Sequence, residues 1–137
     1  METRSLPERL RSVAAIVIIA LVPVLAPAAA GAQALPTAPP YEKEIQRLAE
    51  ILGAVHYLRG LCGADEGQTW RSMMQQLIDA ENPSPDRRAK LVDSFNRGYR
   101  GFEQTYRACT DTAAWVIDSY MSEGADIAQR IASRYGQ

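Results

Sequence analysis

The residues best suited to chemistry lie in one short stretch of the chain. His56, Arg59 and Glu66 fall within eleven consecutive positions, and His56 is the only histidine. They are a base, a cation and an acid, the residue types that general acid–base catalysis uses. Asp65 is a second carboxylate next to Glu66. One hypothesis is therefore an envelope enzyme, a hydrolase in which His56 works with Glu66 or Asp65.

The same stretch also has a structural interpretation. It turns the corner between two predicted helices, where helix-terminal backbone groups need hydrogen-bond partners. In that case Asp65 caps the second helix with Gln68 three residues on, and His56 is a partly buried residue of an apolar helix face. Arg59 then pairs with Glu66 or covers helix-terminal carbonyls. No second ligand stands at helical spacing from His56, so neither a metal site nor a cofactor is predicted.

Cys62 and Cys109 are the only cysteines of the chain. In an oxidising compartment, an isolated pair predicts a structural disulfide, whereas two free reactive thiols are the alternative. Their separation excludes the short C-x-x-C redox motif. A bridge that closes a loop of this length stabilises a small domain by roughly 4 kcal/mol in the chain-entropy model.

The N-terminus has the features of a secretory signal over residues 1–34. Three arginines precede an uncharged apolar run, residues 13–25, and small residues follow it in three overlapping small-x-small patterns. The run is too short for the roughly 20 residues of a membrane-spanning helix. We therefore expect a cleaved Sec-type signal, a periplasmic protein and no stable membrane insertion after cleavage. Which cleavage pattern is used stays open.

The rest of the chain has the composition of one small domain. Residues 35–40 are a proline-rich lead, and residues 41–137 form the predicted helical domain. From residue 35 onward, 12 basic and 14 acidic residues give a net charge of −2, which argues against a nucleic-acid-binding protein.

Apolar residues recur at helical spacing in four segments, without any strand pattern. The predicted helices run from about Tyr41 to Leu61, Asp65 to Asn82, Pro85 to Ala108, and Thr110 or Asp111 to Tyr135. Short connections favour an all-α, up-down-up-down four-helix bundle. Both cysteines then lie at one end, but helices 1 and 3 are diagonal in a square bundle. Since bridged Cα atoms lie about 4.4–6.8 Å apart, the bundle is skewed or the bridge joins the loops.

Two further features are candidate binding elements. Trp115 projects from the polar side of helix 4, either as an anchor for a partner or folded over the disulfide loop. Arg97, Arg100 and Arg107 share the polar face of helix 3, as an anion-binding surface or an ordinary solvated face.

A stripe of small residues on helix 3 and three methionines also have two interpretations each. The stripe indicates close approach of helix 4 or of a partner; it consists of Ser94, Gly98, Gly101 and Thr105. Met73, Met74 and Met121 either line a site for a small apolar ligand or are plain core.

The chain resembles a known family through the segments HYLRGLCG, WRSMMQQLIDAE and FNRGYRGF and the later dipeptide CT. It is a family of short exported alphaproteobacterial proteins of unknown function, and the resemblance extends from about Tyr41 to Tyr135. It implies export and the cysteine pair, but no catalytic or binding residue.

The leading hypothesis from the sequence is a non-catalytic interaction or structural module of the periplasm. It would act through Trp115 and the corner between helices 1 and 2, on an envelope protein. The partner, any substrate and the oligomeric state stay open.

Overall fold

The computed structural model describes residues 37–136. This part of the chain contains no strand and four α-helices: α1 (Glu42–Leu61), α2 (Thr69–Glu81), α3 (Pro85–Thr105) and α4 (Asp111–Tyr135). The predicted all-α fold with four helices and one disulfide is confirmed. The predicted signal sequence, residues 1–34, and the start of the proline-rich lead lie outside the described residues. No helix within 37–136 is both long and apolar enough to cross a membrane.

α1 is the central helix, and the other three helices pack around it. Residues 51 to 55 of α1 are buried in succession, a run wider than the single apolar face of an ordinary amphipathic helix. No Cα atom of α4 comes within 8 Å of a Cα atom of α2 or α3. The helices therefore do not occupy the corners of a square, and α1 and α3 are direct neighbours.

The contacts along α1 give the direction of each neighbour. Near its start, Glu42 pairs with Arg87 of α3, and at its end Cys62 is joined to Cys109 just beyond α3, so these helices are parallel. Arg47 pairs with Glu123 near the middle of α4, whereas Leu58 packs on the start of α4, so α4 is antiparallel. The predicted up-down-up-down order is correct, and the bundle is skewed.

The disulfide joins the end of α1 to the loop between α3 and α4, at one end of the domain. Cys62 follows the last residue of α1, and Cys109 lies in the loop between α3 and α4. Their Cα atoms are 4.8 Å apart, across a sequence separation of 47. The predicted pairing is confirmed, with one cysteine in a loop.

Two glycines bring α1 and α3 into close contact. A Cβ atom built on Gly98 would lie 2.0 Å from the carbonyl oxygen of Glu50, and one built on Gly53 would lie 1.9 Å from that of Phe95. The predicted close approach of a helix at the small-residue stripe therefore occurs with α1. The expectation of α4 was wrong, since α4 packs on another side of α1, and Gly101 has no neighbour within 4 Å of a built Cβ.

Local capping explains where the later helices begin. The Ser84 hydroxyl accepts from the Arg87 amide at 3.4 Å, and the Thr110 hydroxyl accepts from the Ala113 amide at 3.1 Å, as expected of N-caps. The prediction that Asp65 caps α2 was wrong, because α2 begins at Thr69 without a side-chain cap.

α3 ends three residues earlier than predicted. Tyr106 has extended backbone angles, φ −109° and ψ 125°, and its carbonyl oxygen accepts a hydrogen bond from the Tyr57 hydroxyl at 2.6 Å. Arg107 consequently lies in the loop beyond α3, and it does not share a helical face with Arg97 and Arg100 as predicted.

Candidate functional site

An ion pair closes the corner between α1 and α2. Arg59, in the last turn of α1, donates from Nε and Nη2 to the carboxylate of Glu66. The Glu66 carboxylate also accepts from the indole N–H of Trp70, in the first turn of α2. These hydrogen bonds, first from Arg59 and then from Trp70, lower the pKa of Glu66, and the same pair raises the pKa of Arg59. Glu66 is therefore a carboxylate committed to two donors.

His56 has a different arginine as its partner. Nε of Arg71, on α2, donates to Nε2 of His56 at 3.2 Å. Burial and the nearby Arg71 cation lower the pKa of His56, so the neutral imidazole is the favoured form. The structure thus gives His56 and Glu66 separate partners, and Asp65 is exposed. No hydrogen bond joins the histidine to either carboxylate among residues 37–136.

The corner pair holds one wall of an apolar groove. The indole of Trp70 is fixed at its nitrogen by Glu66, and the Arg59 guanidinium lies 5.9 Å from its ring centroid. Because the only polar atom of the indole faces the carboxylate, its carbon surface is left for the groove. This role of the corner could not be seen without the relative placement of the helices.

The opposite wall is held in the same way. Arg47 of α1 forms a two-point ion pair with Glu123 of α4, with both N···O distances 2.8 Å. Its guanidinium carbon lies 4.8 Å from the ring centroid of Tyr120 on α4. The pair raises the pKa of Arg47 and lowers that of Glu123. Each aromatic side chain of the groove is thus backed by an arginine that is itself neutralised by a glutamate.

The groove lies on α1 between α2 and α4 and has a volume of about 320 Å³. Its floor consists of Leu48, Ile51, Leu52 and Val55. Its α2 wall consists of Trp70 and Met73, and its α4 wall of Tyr120, Met121, Gly124 and Ala125. A volume near the lower end of the usual range for ligand pockets, with an almost wholly apolar lining, suits a small apolar molecule.

Two of the three predicted methionines line this groove. Met73 and Met121 are 42% and 39% exposed. This exposure is high for apolar side chains, and it leaves both methionines accessible from the cleft. Met74 instead belongs to the buried core beside Leu52 and Phe95. Met73 and Met121 therefore give the predicted apolar site a location in this groove, whereas Met74 does not line it.

Comparison with known families gives one result. Residues 40–135 match the family described as a protein of unknown function, DUF2385. The chain belongs to this family. The match agrees with the predicted resemblance to a family of unknown function over almost the same residues. Comparison with curated proteins and with solved structures gives no match.

The other predicted binding residues of this DUF2385 domain lie away from the groove. Trp115 is 68% exposed, and it lies two residues from both Ala113 and Ile117, which are buried, so it is on the outer side of α4. Arg97 donates to Ser94 at 3.1 Å and lies 3.5 Å from Glu50. Arg100 is exposed. The structure does not bring these arginines and Trp115 together in one site.

The DUF2385 domain has no group of three or more metal-ligand side chains placed to hold an ion within residues 37–136.

The sequence interpretation missed Arg47 and Glu123, which are 76 positions apart. Only their position on the inner sides of α1 and α4 distinguishes them from surface charges. The small residues Gly124 and Ala125, next to Met121 on one helix, were the available signal of a cleft.

Proposed function

We propose that this protein is an exported, non-catalytic binding domain of the cell envelope, and that its groove takes up an uncharged apolar molecule. The observation that carries the proposal is the preformed apolar groove between α2 and α4. Both aromatic walls are held by ion pairs, so little conformational freedom is lost when a ligand binds. Export is supported by the signal features of residues 1–34 and by a disulfide that suits an oxidising compartment.

The alternative of a hydrolase has weaker support. A general base needs to reach the proton that it removes, whereas His56 is engaged by Arg71 and Glu66 by Arg59 and Trp70. These residues are better explained as parts that position α2 against α1.

Filling the groove tests the proposal. Ala125 lines it and is exposed, so Ala125→Trp places a large side chain in the cleft without a core cavity. Ala128 is an exposed alanine of the same helix outside the groove, and Ala128→Trp is the matched control. The probe is N-phenyl-1-naphthylamine, an uncharged fluorophore whose emission rises in apolar surroundings.

We expect the folded wild-type domain and Ala128→Trp to bind the probe with similar affinity. Ala125→Trp should bind it at least about tenfold more weakly, because a filled pocket leaves no apolar area for the ligand to bury. Circular dichroism checks that both variants are folded. Equal binding by the two variants, or no binding by the wild type, would contradict the proposal.

A second candidate function is partner binding at Trp115, because a tryptophan exposed on an otherwise polar helix side is a frequent interface anchor. Its test is crosslinking of the tagged protein in its native envelope, with Trp115→Ala beside the wild type. A single partner lost only in Trp115→Ala supports this function; partners that persist in that variant refute the assignment.

A further inference from the structure

A second groove lies on the other side of α2, between α2 and α3. These helices approach each other over only a short stretch, and the cleft between them has a volume of about 300 Å³. Its base is formed by Met74, Ile78 and Phe95, which are all buried. Val92 lies at its edge and is 38% exposed.

This groove differs from the first one in its charge. Arg71, Gln75 and Asn96 line it together with the apolar residues, and no lining residue is acidic. Arg71 is the only charged residue in the lining, so the groove carries one positive charge beside an apolar base. Such a lining favours a ligand that combines an anionic group with an apolar body.

The guanidinium of Arg71 is held in place by neutral groups. Its Nε donates to His56, and its central carbon lies 5.9 Å from the ring centroid of Phe95. Neither contact neutralises the charge, and among the described residues Arg71 forms no ion pair with a carboxylate, in contrast to Arg59 and Arg47.

The hydrogen bond to His56 uses Nε of Arg71 and leaves the two terminal nitrogens for another partner. Neither terminal nitrogen has a hydrogen-bond acceptor among residues 37–136. Since an arginine pairs with a carboxylate through two N–H groups, these nitrogens can bind one. The apolar base beside it can bury a short hydrocarbon chain.

We propose that the groove between α2 and α3 binds a monocarboxylate with an apolar chain. The carboxylate pairs with Arg71, and the chain lies on Met74, Ile78 and Phe95. Asn96, on the α3 side, is placed in the lining to donate an amide N–H to the ligand. This site is independent of the groove between α2 and α4 and does not depend on the function proposed for it.

The test compares two probes of equal chain length, octanoate and 1-octanol, by chemical-shift titration of the isotopically labelled domain with its disulfide intact. Octanoate should shift the resonances of Arg71, Gln75 and Asn96, and 1-octanol should bind there at least about tenfold more weakly, since it lacks the charge-assisted hydrogen bonds.

Two variants and one control complete the test. Arg71→Gln removes the charge, and Val92→Asp places a negative charge at the edge; each should weaken octanoate binding about tenfold or more. Arg88→Gln, at an exposed arginine outside the lining, should bind like the wild type.

Equal affinity for octanoate and 1-octanol, or unchanged octanoate binding by Arg71→Gln, would overturn the assignment. Octanoate shifts confined to the groove between α2 and α4 would overturn it as well, while leaving the first groove as a binding site.

Discussion

Replacement of Gly98 by alanine should separate the two most closely packed helices. The added Cβ would lie 2.0 Å from the Glu50 carbonyl oxygen and 3.0 Å from the Ala54 amide nitrogen, both of them backbone atoms of α1. Ordinary contact begins near 3.4 Å, so the helices must move apart by about 1.4 Å. A side-chain rotation cannot relieve this overlap, because neither obstacle is a side chain.

The magnitude follows from two opposing effects. Overpacking of a core costs about 1–3 kcal/mol, and a backbone obstacle places Gly98→Ala at the upper end of that range. Alanine favours a helix over glycine by roughly 1 kcal/mol, which offsets part of the cost. We therefore expect a net loss of about 2 kcal/mol in the free energy of unfolding, or a fall of about 10 °C in Tm for a domain of this size.

Gly101→Ala is the matched control on the same helix. Gly101 is exposed, and a Cβ there meets nothing within 4 Å, so only the helix preference acts and Tm should rise by a few degrees. Thermal unfolding followed by circular dichroism measures both variants. If Gly98→Ala melts at or above the wild-type temperature while Gly101→Ala behaves as expected, the proposed interlock of α1 and α3 is wrong.

The remaining predictions concern the disulfide and the dependence of stability on pH. Reduction of the Cys62–Cys109 bridge, which spans 47 positions, should lower the free energy of unfolding by about 4 kcal/mol; an unchanged urea midpoint with dithiothreitol would contradict this. Stability should also fall on acidification in two windows, because the pKa values of His56 and of three glutamates, Glu42, Glu66 and Glu123, are lower in the folded chain, so the unfolded chain binds more protons. The contribution of His56 is complete above its unfolded pKa of 6.5 and is lost as the pH falls from there through its folded pKa; His56→Gln should remove this window alone. Burial by itself would raise the pKa of Glu42, but hydrogen bonds from Arg87 and Gln46 lower it. Its contribution to stability is therefore present above its unfolded pKa of 4.5 and is lost as the pH falls below that value. Urea midpoints that stay level between pH 8 and pH 3 would refute both assignments.

Local features of the fold were predictable from the sequence. Ser84 and Thr110 begin helices because their hydroxyls accept from amides three residues on, which requires no knowledge of the tertiary structure. Asp65 failed as a cap for the opposite reason. The neighbouring Glu66 is drawn to Arg59 and Trp70, and α2 starts only at Thr69, so contacts across the corner override the local signal.

The central position of α1 explains most of the other differences. Periodicity predicts one apolar face for each helix, but α1 contacts three neighbours and is buried on several sides. The groove arises because α2 and α4 both pack on α1 and not on each other. A pattern within a single helix contains no information on that spacing, although the small residues Gly124 and Ala125 are compatible with it.

The residue types that suggested catalysis make contacts that position other side chains in the described structure. Glu66 is a carboxylate near a histidine in the sequence, yet its hydrogen bonds fix the indole of Trp70, and Glu123 acts through Arg47 on Tyr120 in the corresponding way. Substitution of Glu66 would therefore loosen a wall of the groove as well as remove a potential acid. Loss of function in such a variant is compatible with both roles and does not by itself identify a catalytic residue. The groove-filling variant at Ala125 leaves the corner intact, and for that reason it separates binding from catalysis where Glu66 cannot.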